Sequence, residues 1–169
     1  MTTVAYAAVT QSGLSFDRQL WMRPEIIPGL RKLTDAIHAE GAAAGIQLGH
    51  CGNMSHKSIC GCIPVGASSG FNLYSPTFVR GLRAGELPEM ARAYGKAVNL
   101  AREAGFDAVE IHAGHGYLIS QFLSPSTNHR KDEFGGSLEN RMRFMDMVMD
   151  EVMKAAGSGY GSACEDEHA

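Results

Sequence analysis

The sequence predicts an α/β fold built on a parallel sheet, because apolar strand-like runs alternate with amphipathic helical stripes in the order strand, helix, strand, helix, strand, helix. The strands are apolar runs, as expected for parallel strands buried under helices, and the connections are long enough for helical crossovers. A barrel segment and an open doubly wound sheet both satisfy this order. Neither G-x-G-x-x-G after a strand nor G-x-x-x-x-G-K-[ST] occurs, which argues against a simple nucleotide-binding open sheet.

The first strand is expected at Thr3-Val4-Ala5-Tyr6-Ala7-Ala8-Val9, followed by a turn at Ser12-Gly13. Pro24 suits the first turn of a helix whose stripe is Ile26, Leu30, Leu33 and Ile37 and whose stop is Gly41. Gly45-Ile46-Gln47-Leu48-Gly49 reads as a second buried strand, which the chain leaves at His50-Cys51-Gly52-Asn53. Residues 50–87 are rich in Gly, Ser, Pro and Asn without a sustained period, and a substrate-facing lid is expected there.

Leu87-Pro88-Glu89 opens a second helix with Met90, Tyr94, Ala97, Val98 and Ala101 on its core face and a stop at Gly105. In the third strand, Phe106 to His112, alternation turns Val109 and Ile111 toward the helices and Ala108, Glu110 and His112 the other way. Ser137 suits the cap of a last helix, with Glu139 in its first turn where the dipole favours a carboxylate. Its predicted core face is Leu138, Met142, Met145, Met149 and Val152. The pattern stops at Ala156-Gly157, so residues 1–156 read as one domain and 157–169 as a disordered or aberrant tail.

The chain has 169 residues, 44% of them hydrophobic and 20% charged, the composition of an ordinary globular protein. Fifteen Lys and Arg against eighteen Asp and Glu give a net charge of -3, without a basic cluster to hold nucleic acid. The start lacks a basic segment leading into an apolar run, and no apolar stretch is long enough to span a bilayer. A cytoplasmic protein with neither a nucleic-acid nor a membrane partner is expected. Of the four cysteines, at 51, 60, 62 and 164, all are expected to be reduced. Cys60 and Cys62 lie near His50 and His56, but Cys-x-Cys is not the usual zinc spacing, and no metal is expected.

Val109-Glu110-Ile111-His112-Ala113-Gly114-His115-Gly116-Tyr117-Leu118-Ile119 is the segment richest in chemistry. It lies at the carboxyl end of a parallel strand, where barrels and open sheets alike bind ligands. Gly114 and Gly116 let the backbone turn sharply, so that His112, His115 and Tyr117 can converge on one pocket. Two imidazoles can donate hydrogen bonds to a carbonyl oxygen, and a phenol can deliver a proton without first becoming charged. That is equipment for polarising and protonating an enone. Two other readings of these residues stay open: structural histidines beside a core tyrosine, and a metal-binding pair.

At these residues the sequence resembles the Old Yellow Enzyme family of FMN-dependent NADH:flavin oxidoreductases and ene-reductases. The resemblance rests on Ile46-Gln47-Leu48 with His50 and Gly52, on Ala104-Gly105-Phe106-Asp107, and on the run from Glu110 to Ile119. It continues through Gln121-Phe122-Leu123-Ser124-Pro125, Asn128, Arg130, Asp132-Glu133-Phe134-Gly135-Gly136-Ser137 and Glu139-Asn140-Arg141, and spans residues 3–156 in all. It implies an FMN-binding (β/α)8 TIM barrel, of which this chain holds the counterparts of strands two to four with their helices. It also implies that NADH or NADPH reduces the flavin and that hydride then passes to a small-molecule activated alkene.

The resemblance makes His112 and His115 the pair that holds the substrate carbonyl and Tyr117 the proton donor. It makes Gln47 the amide that hydrogen-bonds the flavin ring, and places Tyr6 where the backbone meets the cofactor. Asn128, Arg130 and Asp132 are expected to brace their loop, and Glu110 to face the lumen. Asn53 stands where the family carries Arg. A complete barrel needs about 250 residues, so the expectation is a fragment with weak or no FMN binding alone, self-associating or joined by a complementing half-barrel. Three functional readings follow: an oxidoreductase piece, a non-catalytic remnant, and a zinc-dependent hydrolase using His112, His115, His50 and a loop cysteine.

Overall fold

The computed structural model describes residues 1–157 and the backbone of residues 161–165. Strand β1 (Thr2–Ala8) leads through 3-10 turns at Gln11–Gly13 and Pro24–Ile26 into helix α1 (Ile27–Ala39) and strand β2 (Ala44–Gly49). Then come α2 (Lys57–Cys60) and the short strands β3 (Val65–Gly66), β4 (Gly70–Asn72) and β5 (Thr77–Gly81). Helix α3 (Leu87–Glu103), strand β6 (Ala108–His112), helices α4 (Leu118–Leu123) and α5 (Leu138–Ala156), and strand β7 (Gly161–Glu165) complete the described chain.

The main sheet is parallel, in the order β1-β2-β6-β7. Ile46, Leu48, Val109 and Ile111 are buried in one core with residues of α1, α3 and α5. On the opposite face, Gln47 and Glu110 sit in register and half-buried. Among the described residues the helices pack on one face of the sheet, as in a barrel wall, whereas a doubly wound sheet carries helices on both. At its lower end, Asp107 accepts hydrogen bonds from Ala44 N and His38 Nε2, both at 2.8 Å, locking β2 to β6. Those bonds hold its carboxyl below the usual range. No helix among the described residues is long and apolar enough to cross a membrane.

Four expectations are corrected. Residues 50–87 are not an irregular loop but fold into a 3-10 turn at Gly52–Met54, α2, and a three-stranded sheet in the order β3-β5-β4. Strands this short impose no period on a sequence; a cross-strand pair, Phe71 on Phe78 with ring centroids 5.1 Å apart, fastens the β4–β5 hairpin. The tail, expected to lack a strand, pairs with β6 over Gly161–Glu165. The edge of β6 offers backbone groups that need partners there, and residues 158–160 and 166–169 lie outside the described residues.

The remaining two corrections concern helix rotation. In α1 the buried residues are Ile27, Leu30 and Thr34, while Leu33 is 40% exposed. Thr34 turns inward because its hydroxyl donates to Ala104 O at 2.7 Å. In α5 the buried stripe is Phe144, Val148, Val152 and Ala156, and Leu138 and Met142 are exposed. Phe144 stacks on Phe122, centroids 4.5 Å apart, and sets that rotation. The face expected for α3 is the one observed, with Tyr94, Ala97, Val98 and Ala101 buried. Ser137 caps α5 as expected, its Oγ accepting from Asn140 N at 3.3 Å.

Candidate active site

His112 ends β6 on the carboxyl edge of the sheet, and the next five residues double back to start α4 at Leu118. His115 takes φ 54° and Gly116 φ 66°, so two successive residues are left-handed. For histidine that conformation carries a cost which the surrounding contacts must hold. Tyr117 N donates to Gly114 O at 3.0 Å, and Leu118 N to His50 O at 2.9 Å, pinning the turn to the end of β2.

The turn brings the three expected residues together. His115 Nδ1 lies 3.2 Å from His112 Nε2, one ring donating and the other accepting. Tyr117 meets His112 edge-on, with centroids 5.0 Å apart. His112 is buried, His115 exposed and Tyr117 half-buried, so the group grades from core to solvent within one short turn.

Tyr6 joins them from β1, its ring 5.3 Å from Tyr117 and 6.0 Å from His112. Its hydroxyl donates to Gly13 O at 2.9 Å. Burial, with Cys51, Tyr94 and Tyr117 nearby, pushes this phenol well above its ordinary value, so it stays a protonated donor. Gly49 makes room for the arrangement: a Cβ there would meet Tyr6 Cε2 at 2.6 Å and His112 Cβ at 3.1 Å. Gln47 stands on the inner face, where its amide donates to Glu110 Oε1. Glu110, for which the sequence offered no partner, thus has one on the neighbouring strand. A carboxamide half-buried on that face offers donor and acceptor together, which fits the polar edge of a flavin ring.

Gln121 was missed as a site residue. Fully buried on α4, it donates to Gly116 O at 2.6 Å, Cys51 O at 3.3 Å and Asn53 Oδ1 at 3.0 Å. Its own oxygen accepts from Asn53 N at 3.3 Å. It therefore clamps the turn after β6 to the turn after β2. Asn53 also accepts from Asn72 Nδ2 through its carbonyl at 2.8 Å, tying in β4. The one signal available was its place at the head of the Gln121-Phe122-Leu123-Ser124-Pro125 run.

Arg130 and Asp132 form a two-pronged pair at 2.9 and 2.6 Å, and Arg130 also donates to Ala67 O at 2.9 Å and to Leu82 O. The guanidinium holds the Asp132 carboxyl below its usual range. Asn128 donates to Phe122 O at 2.7 Å and Phe134 O at 2.8 Å. These residues brace the loop and the small sheet, away from the histidines.

The residues of the zinc reading do not come together among the described residues. His50 Nδ1 accepts from Gly52 N at 2.9 Å and its Nε2 meets Ser12 Oγ at 3.0 Å, so both ring nitrogens are engaged away from His112. Among the described residues, no three His, Cys, Asp or Glu side chains gather to hold a metal ion. A groove of about 1100 Å³ lies elsewhere, bounded by Trp21, Cys62, Arg80 and the α3 residues Met90, Ala93 and Lys96, and none of the three site residues lines it. A barrel wall leaves its inner face open, so volume is a poorer guide to the site here than chemistry.

A family model described as NADH:flavin oxidoreductase / NADH oxidase matches residues 1–161. Over 158 residues the chain is 40% identical to a 4,4'-dithiodibutanoate disulfide reductase of Rhodococcus erythropolis, covering 94% of this chain and 39% of that one. It is 42% identical over 150 residues to an NADPH dehydrogenase of Bacillus subtilis strain 168, covering 88% of this chain and 44% of that one. The solved structure of the old yellow enzyme homologue from Zymomonas mobilis matches with a TM-score of 0.87 at 34% identity, over 93% of this chain and 47% of that one. The chain spans less than half the length of these relatives.

Proposed function

This chain belongs to the NADH:flavin oxidoreductase / NADH oxidase family, and we propose that it carries the substrate-holding and proton-donating part of an FMN-dependent NAD(P)H oxidoreductase of the ene-reductase type. The observation that carries the reading is the convergence of His112, His115 and Tyr117 on one turn at the carboxyl edge of a parallel sheet. The substrate class is a small enone-like molecule. His112 and His115 hold its carbonyl oxygen, and their hydrogen bonds strengthen as negative charge develops there. Tyr117 delivers a proton to the alkene carbon next to that carbonyl. Gln47, with Tyr6 bordering it at the end of β1, is the candidate for holding FMN. Bound FMN, reduced by NADH or NADPH, supplies the hydride.

Relatives use more than twice this length, so these 169 residues by themselves are expected to hold FMN weakly and turn over slowly, unless a second copy or a complementing half-barrel completes the site. The test is a titration of the purified chain with FMN, following flavin fluorescence and then bleaching by NADH, in the wild type and in Tyr117→Phe. The expected result is saturable quenching in both, equal bleaching, and enone reduction slower by ~100-fold or more in the variant, as for the loss of a general acid. Unchanged enone reduction in Tyr117→Phe would remove the proton-donor role. Absence of quenching at every FMN concentration would favour a non-catalytic remnant.

A further inference from the structure

A second cluster of reactive side chains lies outside the site. Cys60 ends α2, and Gly61, at φ 73°, turns the chain so that Cys62 Sγ comes to 3.5 Å from Cys60 Sγ. Glycine takes this left-handed turn without the penalty a side chain would bring. Both cysteines are free thiols. Cys60 is 3% exposed, whereas Cys62 is half-buried and lines the groove of about 1100 Å³ together with Arg80. The two sulfurs are in van der Waals contact, a short movement from the roughly 2 Å of a disulfide.

We infer that Cys60 and Cys62 form a dithiol site that reacts with low-molecular-weight organic disulfides, with Cys62 as the entering thiol and Cys60 as the resolving one. Cys62, as thiolate, attacks one sulfur of the disulfide; the Cys62–sulfur bond forms, the original sulfur–sulfur bond breaks, and the departing thiolate takes up the proton Cys62 gave. Cys60 then attacks the Cys62 sulfur in the mixed disulfide, and the second thiolate leaves with the Cys60 proton. Two S–H bonds of the protein are replaced by one S–S bond, and the organic disulfide is reduced to two thiols. The groove gives the small disulfide its approach to Cys62, and the contact at 3.5 Å gives Cys60 its approach to the intermediate. Cys51 has no such access, being fully buried; burial and the Cys60 contact push the Cys62 thiol up to about 11, so its exchange quickens as the pH rises toward that value. No flavin takes part, so the outcome is read independently of the proposed oxidoreductase activity.

The experiment is to incubate the folded full chain with oxidised glutathione, block remaining thiols by alkylation, and map tryptic peptides by mass. Trypsin leaves Cys60 and Cys62 together on one peptide, residues 58–80. The expected wild-type product is that peptide lighter by two hydrogen atoms and closed to alkylation. Cys60→Ser is expected to stall with one glutathione on residue 62, and Cys62→Ser to leave Cys60 unreacted until denaturant is added. A wild-type peptide that keeps both thiols open to alkylation would overturn the inference, and so would cross-links from either cysteine to Cys51 or Cys164. Glutathione on Cys60 in the folded Cys62→Ser chain would overturn the assigned order. The wild-type map decides the cross-link even if a variant does not fold.

Discussion

His50 holds the end of β2 through its two ring nitrogens, and burial pushes its imidazole down from 6.5 to about 3. The folded chain therefore keeps it neutral, while the unfolded chain takes up a proton below 6.5. The stability tied to this neutral ring is full above about pH 6.5 and is lost as pH falls toward about 3, reaching a loss of about 2 kcal/mol at about pH 5. Partners hold the Glu86, Asp107 and Asp132 carboxyls low, so their loss of stability comes at more acid pH; the other histidines are common to wild type and a His50 variant, so comparing the two assigns the difference to His50. Urea midpoints are expected to drop between about pH 7 and about pH 5 in the wild type, with most of that drop absent in His50→Gln; equal drops in both would exclude His50 as the source. At this scale the site was legible where it is contiguous: His112, His115 and Tyr117 surround two glycines within one short run. Gln121 was not legible, because its partners Cys51 and Asn53 lie about seventy residues away and only the folded chain brings them within reach.

Helices α3 and α5 meet through Gly95. A Cβ there would lie 2.9 Å from Glu151 O, a backbone atom that cannot swing aside as a side-chain end would. Alanine gains about 1 kcal/mol over glycine in a helix interior, whereas overpacking a tight contact costs about 1–3 kcal/mol. Gly95→Ala is therefore expected to destabilise the chain by about 1 kcal/mol, while Gly29→Ala in α1, where a Cβ meets nothing within 4 Å, is expected to stabilise it. Urea unfolding of the two variants checks the pair, and a stabilised Gly95→Ala would mean that α5 moves away freely. The stripe of α3 could be read from sequence because its apolar and polar residues separate cleanly. That of α5 could not, since Met142, Met145 and Met149 form a second apolar track beside Phe144, Val148 and Val152. Stacking on Phe122 chooses between the tracks, and Phe122 belongs to a different helix.

Across the whole molecule, one face of the main sheet lies under α1, α3 and α5 while the other carries Ala5, exposed, with Gln47 and Glu110 half-buried. Strand β1 stands at the end of the strand order, with Thr2, Thr3 and Ala5 exposed along it. A closed barrel would cover both the inner face and that edge. Left open, an edge strand presents unpaired N–H and C=O groups that recruit another chain, and a lysine on the edge is the usual deterrent. The 169-residue chain is accordingly expected to sediment with a mass that rises with concentration through the micromolar range, and Ala5→Lys to shift it toward the monomer. Thermal melting with unchanged cooperativity would show that the variant is folded, since residue 5 faces solvent and its replacement leaves the packing of Tyr6 on His112 and Tyr117 in place. A concentration-independent monomer would show instead that the twist of β1 and its irregular register between Val4 and Ala7 already blunt the edge. In that case a second copy of this chain is not what covers the inner face.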